Sequence, residues 1–502
     1  MRASCGIYKS LARKVDRLSG YLFLTGSTGL LGRYLVRDLL EKGQRLVLLV
    51  RGTKNESSEQ RIESILQYWE RESGARLSRP VLIEGDLRKP MLGLSAKDAR
   101  WVSRHCSSMM HSAASLAFHA DGTGEPWHTN YDGTRHMLEL CEATGLRKLH
   151  YVSTAYVCGI REGTILESEL DCGQEFRNDY EHSKLRAEVM VRDASFIDQL
   201  TVYRPAVIAG DARTGYTNTY HGIYLYLRLM ALLVPRQPFG PDGARMTKLR
   251  LPMTGDERRN VIPIDWVSKV ITSLYLNKDA HGHTFHLAPD KCLTPRDVID
   301  AGYSYFNSTG IEYVGYQKID PATYNQFEAE LLPGFAMYNN YESTDPTFDC
   351  SNVKRFAGDL PCPTIDEAML HNYMRYGEED RWGKRRSPKL KNDFSVAEYF
   401  LNFHEADDAT YAACKTLLAI DLTGPGGGQW TLGVQADGTL VRMPGIHADA
   451  DSLLRLCTSE FYQLISQPRV SHHVHAMEQL FPLSFSTLPV VTLSQAKREP
   501  AH

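Results

Sequence analysis

The apolar run Tyr21–Thr25 opens into Thr25-Gly26-Ser27-Thr28-Gly29-Leu30-Leu31-Gly32, and the amphipathic stretch Leu30–Lys42 follows at once. Three glycines between a strand pattern and a helix pattern leave few folds open. The first permits a tight turn, the second lets backbone approach a pyrophosphate, and the third lets helix pack closely on strand. Amide groups at the helix N-terminus then meet the phosphate charge. Glycine-rich loops are common, so the weight lies in the position, directly after the first strand and before a helix. Thr25, Gly26, Ser27, Thr28, Gly29, Leu30, Leu31 and Gly32 are therefore the expected dinucleotide-binding residues; the alternative is an ordinary strand–helix turn.

The following sequence extends the pattern. Further strands are expected at Arg45–Val50, Pro80–Glu84, Ser107–His111, Lys148–Ser153 and Leu200–Arg204, with helical periodicity between them, as in Tyr131–Thr144. Apolar strands alternating with helices predict a parallel sheet covered on both faces. The expected fold class is α/β, a Rossmann-type doubly wound sheet, with its core at about 20–210. Residues 211–350 are less regular, rich in Tyr, Gly and Pro, with one amphipathic stretch at Gly222–Leu233, and predict a smaller substrate lobe. Residues 376–393 are charged and loop-like, and a linker is set at 381–394. A separate small α+β domain is expected at 395–490, with 491–502 as a tail. Its signs are a strand at Leu417–Thr423, a turn at Gly424–Gly428, strands at Gln429–Gln435 and Thr439–Pro444 joined by Ala436-Asp437-Gly438, and a helix at Ala450–Ser466.

With 502 residues, 42% of them hydrophobic, the chain has the material for several cores. A formal net charge of -3 excludes a global basic field, so no nucleic-acid partner is expected. The ten cysteines show no Cys-x-x-Cys pair, which fits thiols in a reducing compartment. The N-terminus lacks the apolar run of a signal peptide. The greasiest stretch, Ile223–Pro235, contains Arg228 and is too short to span a bilayer. No transmembrane segment and a cytoplasmic location are the expectations.

Cofactor choice turns on the end of the second strand, Val50-Arg51-Gly52. An NAD site usually carries Asp or Glu here for the ribose 2′-hydroxyl, whereas the planar cation Arg51 suits a 2′-phosphate. Arg33 could assist, or be a solvated surface charge. The expected cofactor is NADPH. Asp86, in Gly85-Asp86-Leu87, could accept from the adenine amino group or simply cap its strand.

Tyr180-Glu181-His182-Ser183-Lys184 begins a helical segment, and a spacing of four puts Tyr180 and Lys184 on one face. A free tyrosine titrates near pH 10, too high for efficient acid–base work, and a nearby ammonium lowers that value. Lys184 can also hold the nicotinamide ribose. Alone the pair could be a surface feature. Upstream, however, Tyr151-Val152-Ser153-Thr154 ends a predicted strand, where Thr154 or Ser153 could hydrogen-bond a carbonyl under reduction.

Together with these signals, residues 20 to about 360 resemble the extended short-chain dehydrogenase/reductase family, in its thioester-reductase (fatty acyl reductase-like) branch. The carrying pieces are Thr25–Gly32, Val50-Arg51, Gly85-Asp86-Leu87, His111-Ser112-Ala113-Ala114, Asn130-Tyr131-Asp132-Gly133-Thr134, Val152-Ser153-Thr154, Tyr180–Lys184, Tyr203-Arg204-Pro205, Gly210-Asp211, Asn260–Asp265, Thr284–Leu287 and Phe348–Asn352. The resemblance implies catalytic roles for Thr154 (rather than Ser153), Tyr180 and Lys184. It adds Leu87, Ser112, Ala113, Ala114, Asn130 and Pro205 to the cofactor site. It also implies NADPH-dependent reduction of an acyl thioester, held on an acyl carrier protein or CoA, to an aldehyde, and with a second hydride to the alcohol. The alternatives are a dehydrogenase or epimerase acting on a lipid, sterol or sugar nucleotide, and a non-enzymatic cofactor-holding scaffold.

Residues 395–490 resemble the sterol-carrier-protein-type lipid-binding fold through Ile420-Asp421-Leu422-Thr423-Gly424, Trp430-Thr431-Leu432, Asp437-Gly438, Asp449-Ala450-Asp451 and Phe461-Tyr462-Gln463-Leu464. That implies a lipid or acyl chain as ligand, with dimerisation or docking as the alternative. Asp451-Ser452-Leu453 has the look of a phosphopantetheine site but lacks the preceding double glycine, so it is taken as a helix start capped by Asp451. His472-His473-Val474-His475 has no Cys or acidic partner at ligand spacing, and no metal is expected.

Overall fold

The computed structural model describes residues 20–53, 56–316, 319–332, 344–384 and 396–461, the last with short gaps at 402, 407, 415, 424–426, 437–438, 448 and 459–460. The chain divides into two compact units, residues 1–50 with 83–386 and residues 51–82 with 387–502.

Up to residue 350 the strands are β1 (Tyr21–Thr25), β2 (Leu46–Val50), β3 (Val81–Glu84), β4 (Cys106–His111), β5 (Lys148–Val152), β6 (Thr164–Ile165), β7 (Gln199–Pro205), β8 (Val207–Ala209), β9 (Arg245–Leu251), β10 (Val261–Pro263), β11 (Thr284–Leu287), β12 (Ser308–Tyr313) and β13 (Thr347–Phe348). Seven of them form one sheet in the order β11-β7-β5-β4-β1-β2-β3. The pairings β1–β2, β1–β4, β4–β5, β5–β7 and β7–β11 are all parallel. This is the expected α/β doubly wound sheet, and all six strands predicted from the sequence are in it. The seventh, β11, extends the edge beside β7.

The strand interiors explain the sheet. Leu22, Phe23, Leu24, Val47, Leu48, Met109, Met110 and Leu149 are fully buried, as expected of strands with helices on both faces. The helix Leu30–Glu41 buries Tyr34, Leu35, Val36 and Leu39. Its Asp38 accepts a hydrogen bond from Ser268 on the helix Ile264–Leu276 (2.6 Å). Chain order reverses at β1, with β2 and β3 on one side and β4 on the other. The crevice at the carboxyl ends of β1 and β4 is thus a topological switch point, where such sheets bind ligands.

The lobe after residue 210 is built from the helix Ile223–Leu233, the helix Pro295–Phe306 and the parallel pair β9–β12. Leu233, Val234, Leu249, Leu251 and Phe327 form its local core. The stretch read as loop-like from 376 starts inside a helix. Residues 376–379 belong to the helix Glu367–Glu379, where Tyr376 packs edge-on against Tyr216. Charged flanks disguised a helix end held by an aromatic contact. Residues 385–394 of the expected linker lie outside the described residues.

In the second unit the helix Ser58–Ser73 starts at a capping box between Ser57 and Gln60. Arg79 closes it by pairing with the buried Glu63 (2.8 Å) and with Glu70. The same unit contains a five-stranded sheet made of β14 (His404–Glu405), β15 (Thr416–Thr423), β16 (Gly428–Val434), β17 (Leu440–Pro444) and β18 (Ser452–Cys457), in the order β14-β17-β16-β15-β18. The two hairpins fall where the turn residues predict them. The expected helix at Ala450–Ser466 is overturned over its first half. Ser452–Cys457 is a strand running parallel to Leu418–Thr423. Asp451 accepts from the Leu417 amide (2.9 Å) and so fastens the start of β15 instead of capping a helix. The sheet packs on an aromatic cluster in which Phe400 stacks on Trp430 and Phe461. The tract His472–His475 and the rest of 462–490 lie outside the described residues.

Candidate functional site

The glycine loop owes its shape to close backbone approach. Gly26 has φ +78°, and a Cβ there would lie 2.7 Å from the Ala113 amide nitrogen. A Cβ on Gly32 would overlap the Gly26 carbonyl oxygen, so only glycine lets the helix Leu30–Glu41 seat against the turn. That helix begins at Gly29 without a side-chain cap, which leaves first-turn amides for a ligand. Beside it the Ser27 hydroxyl is buried without a hydrogen-bond partner. An uncapped helix start, a backbone cradle that any Cβ would fill and an orphan buried hydroxyl suit the pyrophosphate of a dinucleotide.

The other expected cofactor residues divide into two groups. Gly26, Gly29, Leu30, Leu31, Gly32, Ser112, Ala114, Lys184 and Pro205 line one cavity of about 1480 Å³. Thr25, Ser27, Thr28, Arg33, Asp86, Leu87, Ala113 and Asn130 are not in its lining, and most of them brace it. The Thr25 hydroxyl bonds His111 Nδ1 (2.9 Å) and receives the Ala113 amide (3.4 Å), tying β1 to β4. Burial, then the charge of Lys184, pushes the His111 imidazole down to about 3, so it is neutral. Asn130 accepts from the Ser115 amide (2.8 Å) and donates to Ser183 (3.0 Å), locking the loop after β4 to the helix Asp179–Asp193. The Leu87 carbonyl is held by His136 Nδ1 (2.7 Å). Asp86 accepts from the Arg88 side chain (3.0 Å). Arg33 donates to the Thr28 carbonyl (3.1 Å) and to Tyr216 (3.0 Å), which makes it a strut between loop and lobe. Arg51 follows β2 and is exposed, and its carbonyl accepts from Arg61.

Thr154, Tyr180 and Lys184 line the same cavity as the glycine loop. The helix carrying the last two is N-capped by Asn178, whose side chain accepts from the Glu181 amide (3.0 Å). Asp179 in its first turn receives the Ala120 amide (2.9 Å) and Trp127 Nε1 (3.1 Å), which fixes the helix start over the cavity. Thr154 caps the short helix Ala155–Cys158, and its hydroxyl donates to the Pro205 carbonyl (3.4 Å). Burial pushes the Tyr180 phenol up to about 12, although a hydrogen bond with Thr154 opposes the rise. The net rise is the opposite of the sequence-based expectation, because burial dominates. Lys184 Nζ donates to the Val152 carbonyl (2.8 Å) and lies 4.9 Å from the centre of the Tyr151 ring. Burial, opposed by Glu188, brings its own ammonium down to about 8.

Sequence reasoning missed part of the wall. Tyr156 and Asp345 both line the cavity, and the tyrosine donates to the carboxylate at 2.7 Å across 189 positions of sequence. No local pattern could announce that pair. The resemblance pieces Tyr203-Arg204 and Phe348–Asn352 brace the sheet edge. Arg204 is buried against Glu188, and Asn352 donates to the Thr284 carbonyl on β11 (2.9 Å). Beyond Tyr180 the cavity is lined mainly by apolar residues such as Ile223, Met230, Leu249 and Val298. Among the described residues there is no group of three or more His, Cys, Asp or Glu able to hold a metal, and no helix is long and apolar enough to cross a membrane.

Comparison with known proteins bears on the fold and on the dinucleotide-binding part of the chain. Residues 24–271, just under half of the chain, match the NAD-binding family described as Male sterility protein. A non-canonical nonribosomal peptide synthetase of Aspergillus campestris is 27% identical over 74% of this chain and 38% of its own length. An aldehyde reductase of Aspergillus flavus is 24% identical over 74% of this chain and 37% of its own. The chain thus spans less than two-fifths of these relatives. The terminal R domain of a myxalamid polyketide–peptide biosynthetic pathway has the same fold, with a TM-score of 0.56 and 24% identity over 74% of this chain and 94% of that one. The switch-point crevice, the glycine cradle and the family match over 24–271 give that part of the chain the α/β fold of a dinucleotide-binding domain, similar to the NAD-binding family described as Male sterility protein.

Proposed function

We propose that the chain reduces an acyl thioester, carried on an acyl carrier protein or CoA, to the aldehyde with NADPH. One observation carries this reading. Thr154, Tyr180 and Lys184 share a cavity with the glycine cradle, and the rest of that cavity is largely apolar. An apolar wall suits an acyl chain and would leave a sugar nucleotide's hydroxyls without partners.

When bound, the dinucleotide supplies the hydride that reaches the carbonyl carbon. The chain's own groups handle binding and the proton. First-turn amides of the helix Leu30–Glu41 and the Ser27 hydroxyl hold the pyrophosphate, and Arg51 provides the cation for a 2′-phosphate. Lys184 donates to ribose hydroxyls. With a value near 12, Tyr180 stays protonated at neutral pH and donates, together with Thr154, to the carbonyl oxygen. As negative charge develops on that oxygen, Tyr180 gives up its proton and the Lys184 ammonium stabilises the phenolate. The hemithioacetal then breaks its C–S bond. Its hydroxyl proton passes to the departing sulfur, leaving an aldehyde and a free thiol. A second hydride and proton would give the alcohol. The second unit, with its aromatic-backed sheet, is read as a module that binds a lipid or docks the carrier.

The test is product analysis. Acyl-CoA, acyl-carrier and UDP-sugar substrates are each incubated with NADPH or NADH. Aldehyde and stoichiometric free thiol from the thioesters support the reading. Turnover of the UDP-sugars alone overturns it.

A further inference from the structure

The β9–β12 pair forms part of the cavity wall. On β9, Thr247, Leu249 and Leu251 face inward and are buried, while Lys248 is exposed; on β12, Ser308 is buried and Thr309 exposed. Thr247, Leu249, Ser308 and Ile311 all line the cavity. The register shifts between Thr309 and Ile311, around Gly310 with φ +110°. A Cβ at Gly310 would lie 2.9 Å from the Thr247 carbonyl oxygen, so the irregularity draws β12 close onto Thr247. Irregularities of this kind re-aim side chains beside binding sites.

Two hydroxyls stand out in this setting. Thr247 is 1% exposed and Ser308 4% exposed, and neither hydroxyl has a hydrogen-bond partner. Their neighbours Leu249, Leu251 and Phe327 belong to the lobe's apolar core. Valine and alanine would fill the same space without stranding a polar group. Buried polar groups are nearly always paired, and two unpaired hydroxyls on one cavity wall are the form a ligand-reading subsite takes.

We propose that Thr247 and Ser308 select an acyl group with a hydrogen-bonding substituent, a hydroxyl or amide, in its distal part, in preference to a plain hydrocarbon chain. The inference rests on the thioester-reductase reading and deepens it by naming the substrate class. Each hydroxyl can both donate and accept, so either substituent fits. The catalytic end reads the thioester carbonyl, the apolar wall between carries methylenes, and the hydroxyl pair reads the far group. A site built to hydrogen-bond a substituent rejects the analogue lacking it, because the site's own groups stay unpaired.

The test uses pantetheine thioesters of four to fourteen carbons, each as the plain acyl group and its ω-hydroxy counterpart, with kcat/KM measured in the full chain. At the length that reaches β9 and β12, the ω-hydroxy form is expected to exceed its plain partner by about tenfold. At shorter lengths, where the hydroxyl meets apolar wall instead, the plain form wins. Thr247→Val with Ser308→Ala brings the favourable ratio to one or below. Thr247→Ser keeps it, and Thr309→Ala, on the exposed face, does not change it. A plain-chain preference at every length, or a favourable ratio that survives the double substitution, overturns the proposal. If neither form is reduced at any length, the reductase reading itself has failed. The subsite is then judged by calorimetric binding of the matching S-alkyl and S-(ω-hydroxyalkyl) pantetheines, with the same ratio deciding.

Discussion

Glu188 lies one turn beyond Lys184 and is fully buried, as is Arg204 beneath it at 1% exposure. Arg204 Nη2 reaches Glu188 at 2.6 Å and Arg204 Nε at 3.1 Å, while Arg192 adds a contact at 2.8 Å. Burial would raise the Glu188 carboxyl, but the Arg204 charge and hydrogen bonds hold it well below the usual carboxylate range. Removing one partner of such a pair costs about 3–5 kcal/mol, whereas replacing both by apolar groups is often neutral. Arg204 also donates to the Glu169 carbonyl (2.8 Å), so the double replacement still loses about 1 kcal/mol. The first unit has roughly 350 residues. With an unfolding entropy of about 2.1 cal/mol/K per residue, each kcal/mol moves its Tm by about 1.4 °C. Glu188→Leu and Arg204→Met are each expected to lower Tm by about 4–7 °C, and the double variant by about 1–2 °C. Scanning calorimetry at pH 7 reads all four proteins. A double variant that loses the sum of the two single losses would refute the reasoning. Glu188 also supports the Lys184 charge, so Glu188→Leu should move the alkaline limb of kcat/KM to lower pH.

Lys184 sits at about 8 through burial, so it is protonated below that pH and neutral above it. Reduction should therefore decline as pH rises through about 8, and a profile flat to pH 10 would contradict the role given to Lys184. Gly32→Ala places a methyl group against the Gly26 carbonyl. It should weaken dinucleotide binding by about 100-fold, on the order of 3 kcal/mol of overpacking, read by fluorescence titration. Arg51→Ala should reduce the preference for NADPH over NADH by about tenfold or more, the worth of a charge-assisted hydrogen bond; an unchanged ratio would remove Arg51 from the 2′-phosphate site.

The legible parts of this protein are those written locally. β1, the glycine loop and the helix Leu30–Glu41 follow from residues that touch one another along the chain. β18 misled because Leu453, Leu454 and Leu456 satisfy helical spacing as well as strand spacing, and pairing with Leu418–Thr423 decided between them. β11 has only four residues and is a strand because β7 lies beside it. Within the site, Tyr180 and Lys184 were visible as a spaced pair, but their titration was not. Lys184 turns to the Val152 carbonyl, and burial outweighs charge at Tyr180. Arg33 looked like a cofactor cation, yet its geometry depends on Tyr216, 183 positions away.

The central claim is that Tyr180 donates the proton to a thioester carbonyl held at the glycine-cradled dinucleotide. Single-turnover NADPH oxidation with an acyl thioester, comparing the unaltered chain with Tyr180→Phe, tests it most directly. The account predicts a rate loss of about 10²–10³ with NADPH affinity and Tm retained, since the phenol contributes an oxyanion donor. Oxidation by Tyr180→Phe at the unaltered rate would contradict it.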